Sequence, residues 1–234
     1  MSHFIEIDHL SFTYPDGKQA LHHINLQVER GEKISLVGTN GAGKSTFLMH
    51  LNGIYTGQGQ IYIDGLPVQK KTLNQIRSMV GVVFQNPDDQ LFSPTVYEDV
   101  AFGPIYQGLQ KQEVQQRVEK ALSDVGMRDY VSRNPYHLSS GEKKRIAIAT
   151  VLSMQPQILV FDEPTAGLDP RARRELIELL TGLPQTMLIA THDLAMAELL
   201  TPRVIILDQG RVVADGRSSE ILHDEELLKQ HGLI

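Results

Sequence analysis

Gly38-Thr39-Asn40-Gly41-Ala42-Gly43-Lys44-Ser45 fits the spacing G-x-x-x-x-G-K-[ST], and it lies between an apolar stretch, Ile34 to Val37, and a helical pattern from Lys44 to Leu51. Strand, loop and helix in that order are the context in which such a loop holds phosphate. Glycines let the backbone close around an anion, so that successive N–H groups and the helix N-terminus face it. In this spacing Lys44 reaches the β- and γ-phosphates and Ser45 offers its hydroxyl to Mg²⁺. The competing reading is a plain glycine-rich turn, and the agreement of spacing, residue types and flanking elements weighs against it.

Two acids, Asp162 and Glu163, follow the apolar run Ile158 to Phe161 and precede Pro164. They emerge where a buried strand leaves its sheet, the edge at which open α/β sheets bind ligands. There Asp162 supports Mg²⁺ through its water shell, while Glu163 is placed to orient and deprotonate a water. Taken alone, the pair could equally cap the next helix; beside the phosphate loop the chemical reading prevails. His192 follows another apolar strand, Leu188 to Ala190, at the same edge, and is expected near the γ-phosphate. Ser139 or Ser140 reads as the N-cap of a helical run through Lys143, Arg145 and Ala149. A capped helix start is also an anion site, but the residues alone do not say whose phosphate it meets.

These residues need a scaffold, and the chain supplies one. Its 234 residues, at roughly 150 residues per domain, amount to about 1.6 domains, one compact body with an elaboration. Hydrophobic residues at 41% and charged residues at 21% describe a globular chain able to bury a core, not a disordered or fibrous one. The first third alternates apolar and polar residues, as in Phe4 to Asp8 and Leu21 to Val28, and predicts antiparallel strands. Met79 to Phe84, Ile158 to Phe161, Met187 to Ala190 and Val204 to Leu207 read as buried strands. Helical segments near Arg171 to Leu180 and Leu194 to Leu200 alternate with them, which implies a parallel sheet covered on both faces. From Thr95 to Met154 the pattern is helical, with Val114, Val118, Ala121, Leu122 and Val125 at spacings of three and four. His22 and His23 are adjacent on a strand, expected to point to opposite faces and to make a poor metal pair.

Basic residues number 22 against 28 acidic ones, a net charge of −6, which argues against general nucleic-acid binding through phosphate attraction. Cysteine is absent, so there is no thiolate nucleophile or thiolate zinc site. A basic, apolar leader does not follow Met1, which points to an uncleaved cytoplasmic chain. No apolar run approaches the ~18 to 20 residues that span a bilayer, so a membrane role has to be borrowed from a partner.

In this order the residues resemble, over nearly the full length, the ATP-binding cassette (ABC) ATPases of membrane transporters. The match runs through Tyr14 as the aromatic that stacks on adenine, Gly38 to Thr46 as the Walker A loop and Gln85 as the Q-loop glutamine. It continues with Leu138 to Glu142 as the signature, Ile158 to Glu163 as Walker B, Ala166 to Asp169 as the D-loop and His192 as the H-loop histidine. The resemblance implies a P-loop NTPase cassette of the α/β class: a RecA-like core and antiparallel β subdomain at about 1–90, an inserted α-helical subdomain at about 91–155, and the rest of the core at about 156–234. It implies ATP and Mg²⁺ as ligands. Tyr14, Gly38, Asn40, Gly41, Ala42, Gly43, Lys44, Ser45 and Thr46 would bind nucleotide, and Ser45, Gln85 and Asp162 the metal. Glu163, His192 and Gln85 would act in hydrolysis. It further implies a head-to-tail dimer with a second ATPase subunit, a homodimer being feasible because both halves of a site are present, in which Ser139 and Gly141 contact the γ-phosphate bound to Lys44 of the partner; Asp169 of the D-loop would also bind nucleotide. Ser140 stands where the family usually has a second glycine, a costly exchange if the backbone there needs positive φ or very close phosphate approach.

The stretch Phe84 to Phe92, with Asp99 to Pro104, looks like the energy-coupling factor branch, and Gly141 to Arg145 is more similar to its cobalt and nickel ATPases than to its vitamin ones. The implied partners are an integral membrane coupling subunit and a substrate-binding membrane subunit, with no nucleic acid, at the cytoplasmic face of the membrane. ATPases of vitamin or other small-molecule transporters remain the alternative. Soluble cassettes acting on DNA, RNA or ribosomes are disfavoured, because Ser45 to Leu138 holds no sustained heptads and each motif occurs once. Asp88 and Asp89 read as a solvated turn.

Overall fold

Strand alternation builds the first layer of the protein, described here as a computed structural model covering residues 3–234; Met1, where the segment read as lacking a leader begins, lies outside the described residues. β1 (Ile5–Thr13) and β2 (Gln19–Val28) pair antiparallel. After β3 (Lys33–Val37) and α1 (Lys44–Leu51) the chain returns with β4 (Gln58–Ile63) and the short β5 (Leu66–Pro67). These form a four-stranded sheet in the order β2-β1-β4-β5. The alternation has two breaks. At His9 and His23 the backbone enters the left-handed region, φ 51° and 48°, and the β1–β2 register shifts on either side of Leu10. The regular strand expected at His22-His23 is thus corrected: a bulge inserts one residue, so that Leu21 and Ile24, three apart, are both buried.

The second layer is the parallel sheet. α2 (Leu73–Met79) leads into β6 (Val80–Val83), and α3 (Val96–Tyr106), α4 (Lys111–Asp124) and α5 (Ser140–Leu152) come after it. Next are β7 (Ile158–Asp162), α6 (Pro170–Gly182), β8 (Thr186–Thr191), α7 (Leu194–Leu200), β9 (Arg203–Asp208), β10 (Arg211–Arg217), α8 (Ser218–Ile221) and α9 (Glu225–Gln230). The strand order is β10-β9-β3-β8-β7-β6, with β10 antiparallel on β9 and the other neighbours parallel. β7 and β8 are buried at every position, which is why they read as continuous apolar runs rather than alternating ones.

Period two then decides which layer each side chain joins. Ile158, Val160, Leu188 and Ala190 pack with α1 residues Phe47, Leu48 and Leu51 and with the antiparallel sheet. Leu159, Phe161, Met187 and Ile189 pack on the opposite face with α5 residues Ile146 and Ala149 and with Leu176 and Leu180 of α6. Burying a side chain of the size of Phe161 contributes up to about 3 kcal/mol, so one strand ties both halves of the core together. Val37 at the end of β3 joins a smaller cluster with Val204, Ile206 and Leu228.

Candidate functional site

The parallel register brings three chain segments to one edge. Val37 lies beside Thr191, and Asp162 beside Ala190, so the loops leaving β3, β7 and β8 start side by side at the carboxyl ends of their strands, where open α/β sheets bind ligands. Between them is a cleft of about 290 Å³ lined by Tyr14, Asn40, Gly41, Gly43, Lys44, Ser45, Thr46, Gln85, Glu163 and His192, with Lys18 and Ala20 at its rim.

The phosphate loop needs glycine for steric reasons that the structure makes specific. A Cβ at Gly38 would come within 2.3 Å of the Leu207 carbonyl oxygen, and one at Gly43, where φ is 104°, within 2.7 Å of that of Ala20. The loop is pressed against β9 and β2 and closes on itself through the Ala42 N–H, which donates to the Thr39 carbonyl at 3.2 Å. Lys44 is buried and folds back over the loop, its Nζ donating to the carbonyls of Gly38 at 2.8 Å and Thr39 at 3.1 Å, with Glu163 Oε1 3.8 Å away. Burial pulls the Lys44 ammonium below its ordinary pKa, and the Glu163 and Asp162 carboxylates oppose that shift.

Asp162 ends β7 with its side chain buried and one oxygen, Oδ1, without a hydrogen-bond partner. Burial pushes its carboxyl above the usual range, and a hydrogen bond from Ser45 pulls the other way. An orphaned carboxylate oxygen beside an exposed hydroxyl is an all-oxygen donor set, and it fits Mg²⁺, a hard cation that keeps much of its water.

Glu163 sits in the left-handed region, φ 46°, and is 7% exposed. Its carboxylate meets three groups of the β8 exit: Nδ1 of His192 at 3.0 Å from Oε1, and the Thr191 hydroxyl at 3.3 Å and the His192 N–H at 3.4 Å from Oε2. His192 is held in turn through its neighbour in the chain. Asp193 caps α7 through the Met196 N–H and receives both arms of Arg173 from α6 at 2.8 and 2.9 Å.

Tyr14 leaves β1 at the cleft's outer wall. Its hydroxyl bonds Thr46 Oγ1 at 2.6 Å, and its ring stands edge-on to Phe12 and Tyr55. Below them His50 bonds the Thr46 carbonyl through Nδ1 at 2.7 Å, while its buried Nε2 has no partner.

Ser139, Gly141 and Asp169, by contrast, are not in this cleft. Ser139 is the N-cap of α5 and forms a capping box with Glu142. Asp169 caps α6 through the N–H groups of Arg171 and Ala172. A Cβ on Gly141 would lie 3.1 Å from that of Ala172, so these residues form a second cluster of their own. Ser140 opens α5 within the helix and carries no positive φ, so the backbone accepts serine there.

The Gln85 loop is fastened to α5. Asp88 and Asp89 lie exposed in a short turn, as expected, and Asp88 also pairs with Lys143 at 2.7 Å. Gln90 donates to the Ala147 carbonyl at 2.8 Å and the Thr150 hydroxyl at 2.7 Å. Lys144, buried, reaches the main-chain oxygens of Gln85 and Glu163. Sequence reasoning missed Thr191, Lys143 and Lys144. A lysine three and four residues before the buried Ala147 and Ile148 of the same helix face is a detectable anomaly, whereas its partners lie far away in sequence.

A family model described as ABC transporter matches residues 21–166. A putative ABC transporter ATP-binding protein of Streptomyces avermitilis is 53% identical over 230 residues, covering 98% of this chain and 88% of the relative. An energy-coupling factor transporter ATP-binding protein, EcfA, of Methanothermobacter thermautotrophicus is 50% identical over 235 residues, covering 98% and 76%. Among solved structures, cbiO1 of Clostridium perfringens, part of the ABC transporter complex cbiONQ, superposes with a TM-score of 0.87 at 38% identity, covering 100% of this chain and 96% of that one. The ATP-binding cassette MJ0796, a dimer in a post-hydrolysis state bound to ADP and Pi, superposes with a TM-score of 0.82 at 28% identity, covering 92% and 98%.

Proposed function

The chain belongs to the ABC transporter family as an ATP-binding, ATP-hydrolysing cassette, and from that premise we propose that it energises a membrane importer of the energy-coupling factor class that takes up cobalt or nickel ions. The observation that carries the hydrolytic part is the convergence of Lys44, Glu163 and His192, with Glu163 Oε1 3.8 Å from the lysine and 3.0 Å from the histidine. Cobalt or nickel as cargo is supported by the Gly141 to Arg145 sequence and by the likeness to cbiO1; a vitamin importer is the alternative.

The reaction is in-line attack of water on the γ-phosphorus of ATP, with the bond to the bridging oxygen breaking and ADP leaving. Lys44 exchanges the carbonyls of Gly38 and Thr39 for phosphate oxygens, and the N–H groups from Asn40 to Ser45 close around them. Ser45 and Asp162, with Gln85, would hold Mg²⁺, which when bound would neutralise phosphate charge. Glu163 accepts the proton of the water. His192, whose Nδ1 shares Oε1 with Lys44, orients Glu163 and faces the γ-phosphate. Tyr14, braced by Thr46, Phe12 and Tyr55, offers its ring to adenine.

The site is completed in trans. Ser139, Gly141 and Asp169 cluster apart from the Lys44 cleft in the same chain, which supports a head-to-tail dimer in which they reach the partner's nucleotide. A membrane subunit is supported by an apolar surface beside the Gln85 loop: Phe92 and Phe102, 60% and 55% exposed, stand edge-to-face at 5.3 Å, with Ile105 and Tyr106 also exposed. Among the described residues no helix is long and apolar enough to cross a membrane; the chain is peripheral at the cytoplasmic face, with residues 91–155 as the subdomain that meets the partner.

Co-expression with the membrane subunits of an energy-coupling factor importer, then uptake of labelled cobalt, nickel and vitamins into vesicles, tests the whole reading. ATP-dependent accumulation of a metal ion supports it. Accumulation of a vitamin alone replaces the cargo, and no recoverable membrane complex removes the transport assignment.

A further inference from the structure

Lys144 stands in the second turn of α5 and is 6% exposed. Its Nζ donates to two main-chain oxygens from separate loops, that of Glu163 at 3.2 Å and that of Gln85 at 3.3 Å. A buried ammonium is expensive unless its surroundings are anionic or accept its protons. Here burial lowers its pKa while the Glu163 and Asp162 carboxylates oppose the shift.

Glu163 is where such a grip matters. Its φ of 46° is a conformation that a residue with a Cβ adopts at a cost, so surrounding contacts have to hold it. The Glu163 N–H donates to the Ala190 carbonyl at 2.9 Å. Its carbonyl accepts from Lys144 and, at 3.2 Å, from the Ala166 N–H. With both peptide groups fixed, the direction in which the side chain leaves the main chain is fixed as well. Lys144 is the donor in this set that comes from the signature helix.

We propose that Lys144 is a positioning residue for ATP hydrolysis, pinning the main chain of Glu163 in its left-handed conformation and tying it to the Gln85 loop, so that the carboxylate stays aimed into the phosphate cleft. The proposal rests on the reading of Glu163 as the group that acts on water. The hydrogen bonds of Lys144 go to Glu163 and Gln85 and not to the phosphate loop or its lysine, so its loss is expected mainly in turnover.

The test uses the purified full chain, with steady-state ATP hydrolysis and nucleotide affinity measured for Lys144→Met and Lys144→Gln. Met keeps the length and loses the donor; Gln keeps two N–H donors without the charge. Because displacement of a catalytic group by about 1 Å can cost 10²-fold, Lys144→Met is expected to lower kcat by roughly 10- to 100-fold with KM and ATP affinity within about threefold. Lys144→Gln is expected to recover kcat to within about fivefold of the parent, a rescue that lost packing alone would not produce.

In a Glu163→Gln background, adding Lys144→Met should lower kcat no further, since the group being aimed is already gone. A Lys144→Met chain with kcat within twofold of the parent overturns the proposal, as does a loss in which kcat and KM worsen together and Gln does not rescue. Should the Met variant not fold, Lys144→Ala takes its place: a loss of tenfold or more that Gln recovers supports the proposal, and any smaller loss, or one that Gln does not recover, overturns it. Normal hydrolysis by Glu163→Gln alone would instead remove the reading of Glu163, so the two failures are distinguishable.

Discussion

Nδ1 of His192 lies 3.0 Å from Oε1 of Glu163, although the histidine side chain is 62% exposed and the glutamate is buried. The contact crosses the boundary between the sheet edge and the cleft. Oε1 of Glu163 therefore has His192 on its solvent side within hydrogen-bond distance and the buried Lys44 ammonium 3.8 Å away, both on the side of the phosphate loop.

Glu163→Gln keeps the shape and the left-handed backbone and removes the base. Turnover is expected to fall by about 10² to 10⁴, the usual worth of a positioned proton acceptor, while ATP binding persists. Single-turnover hydrolysis alongside nucleotide titration measures both quantities, and near-normal turnover would take the base role from Glu163.

Lys44→Ala acts on binding instead. It removes the cation that the phosphates would meet and leaves the buried carboxylates of Asp162 and Glu163 facing the incoming anion. A loss of charge-assisted bonds of this kind should weaken ATP affinity by at least about tenfold. Unchanged affinity in a calorimetric titration would contradict the assignment of the phosphate loop.

The separation of Ser139 from the Lys44 cleft predicts complementation between two inactive chains. Lys44→Ala and Ser139→Arg, each silent as a homodimer, should regain hydrolysis when mixed, because the hybrid dimer contains one site with both intact halves. With random pairing, half the dimers are hybrids with one good site in two, so recovery reaches roughly a quarter of the parental rate. If each site were complete within one chain, mixing would restore nothing.

His50 makes stability depend on pH. Burial holds its pKa below the ordinary value of 6.5, opposed by the bond to the Thr46 carbonyl. With Nδ1–H donating there, a second proton would go to Nε2, which is buried without an acceptor beside the Phe12 and Tyr55 rings. Below pH 6.5 the unfolded chain therefore binds a proton that the folded chain refuses, and stability falls as pH drops from 6.5 toward the lowered folded-state pKa. The slope from this residue is at most about 1.4 kcal/mol per pH unit. Urea unfolding between pH 7.5 and 5.5 should display it, and His50→Leu should remove that part of the slope.

The phosphate loop and α1 could be read from the sequence because the information is local: spacing, glycine and the onset of a helical pattern occupy neighbouring residues. The runs Ile158 to Phe161 and Met187 to Ala190 were legible as strands because burial on both faces leaves no polar alternation to misread. α2 was not, since Ile76 is the one residue it buries, which makes no stripe. β10 was not either, because an edge strand alternates half-buried with exposed positions and carries Arg211, Asp215 and Arg217 as edge charges. The grip of Lys144 on Glu163 spans 19 residues and that of Gln90 on Thr150 spans 60; only the folded register brings such pairs together, and no local pattern announces them.

The Asp88–Lys143 pair, the bonds of Gln90 to α5 and the reach of Lys144 to the Gln85 carbonyl together make the loop and the signature helix a single lever arm with three rivets. Phe92, two residues beyond Gln90, therefore stands on a segment bonded directly to the helix that Ser139 caps, so a load on that aromatic ring is shared between the loop and the helix instead of being absorbed by the loop alone.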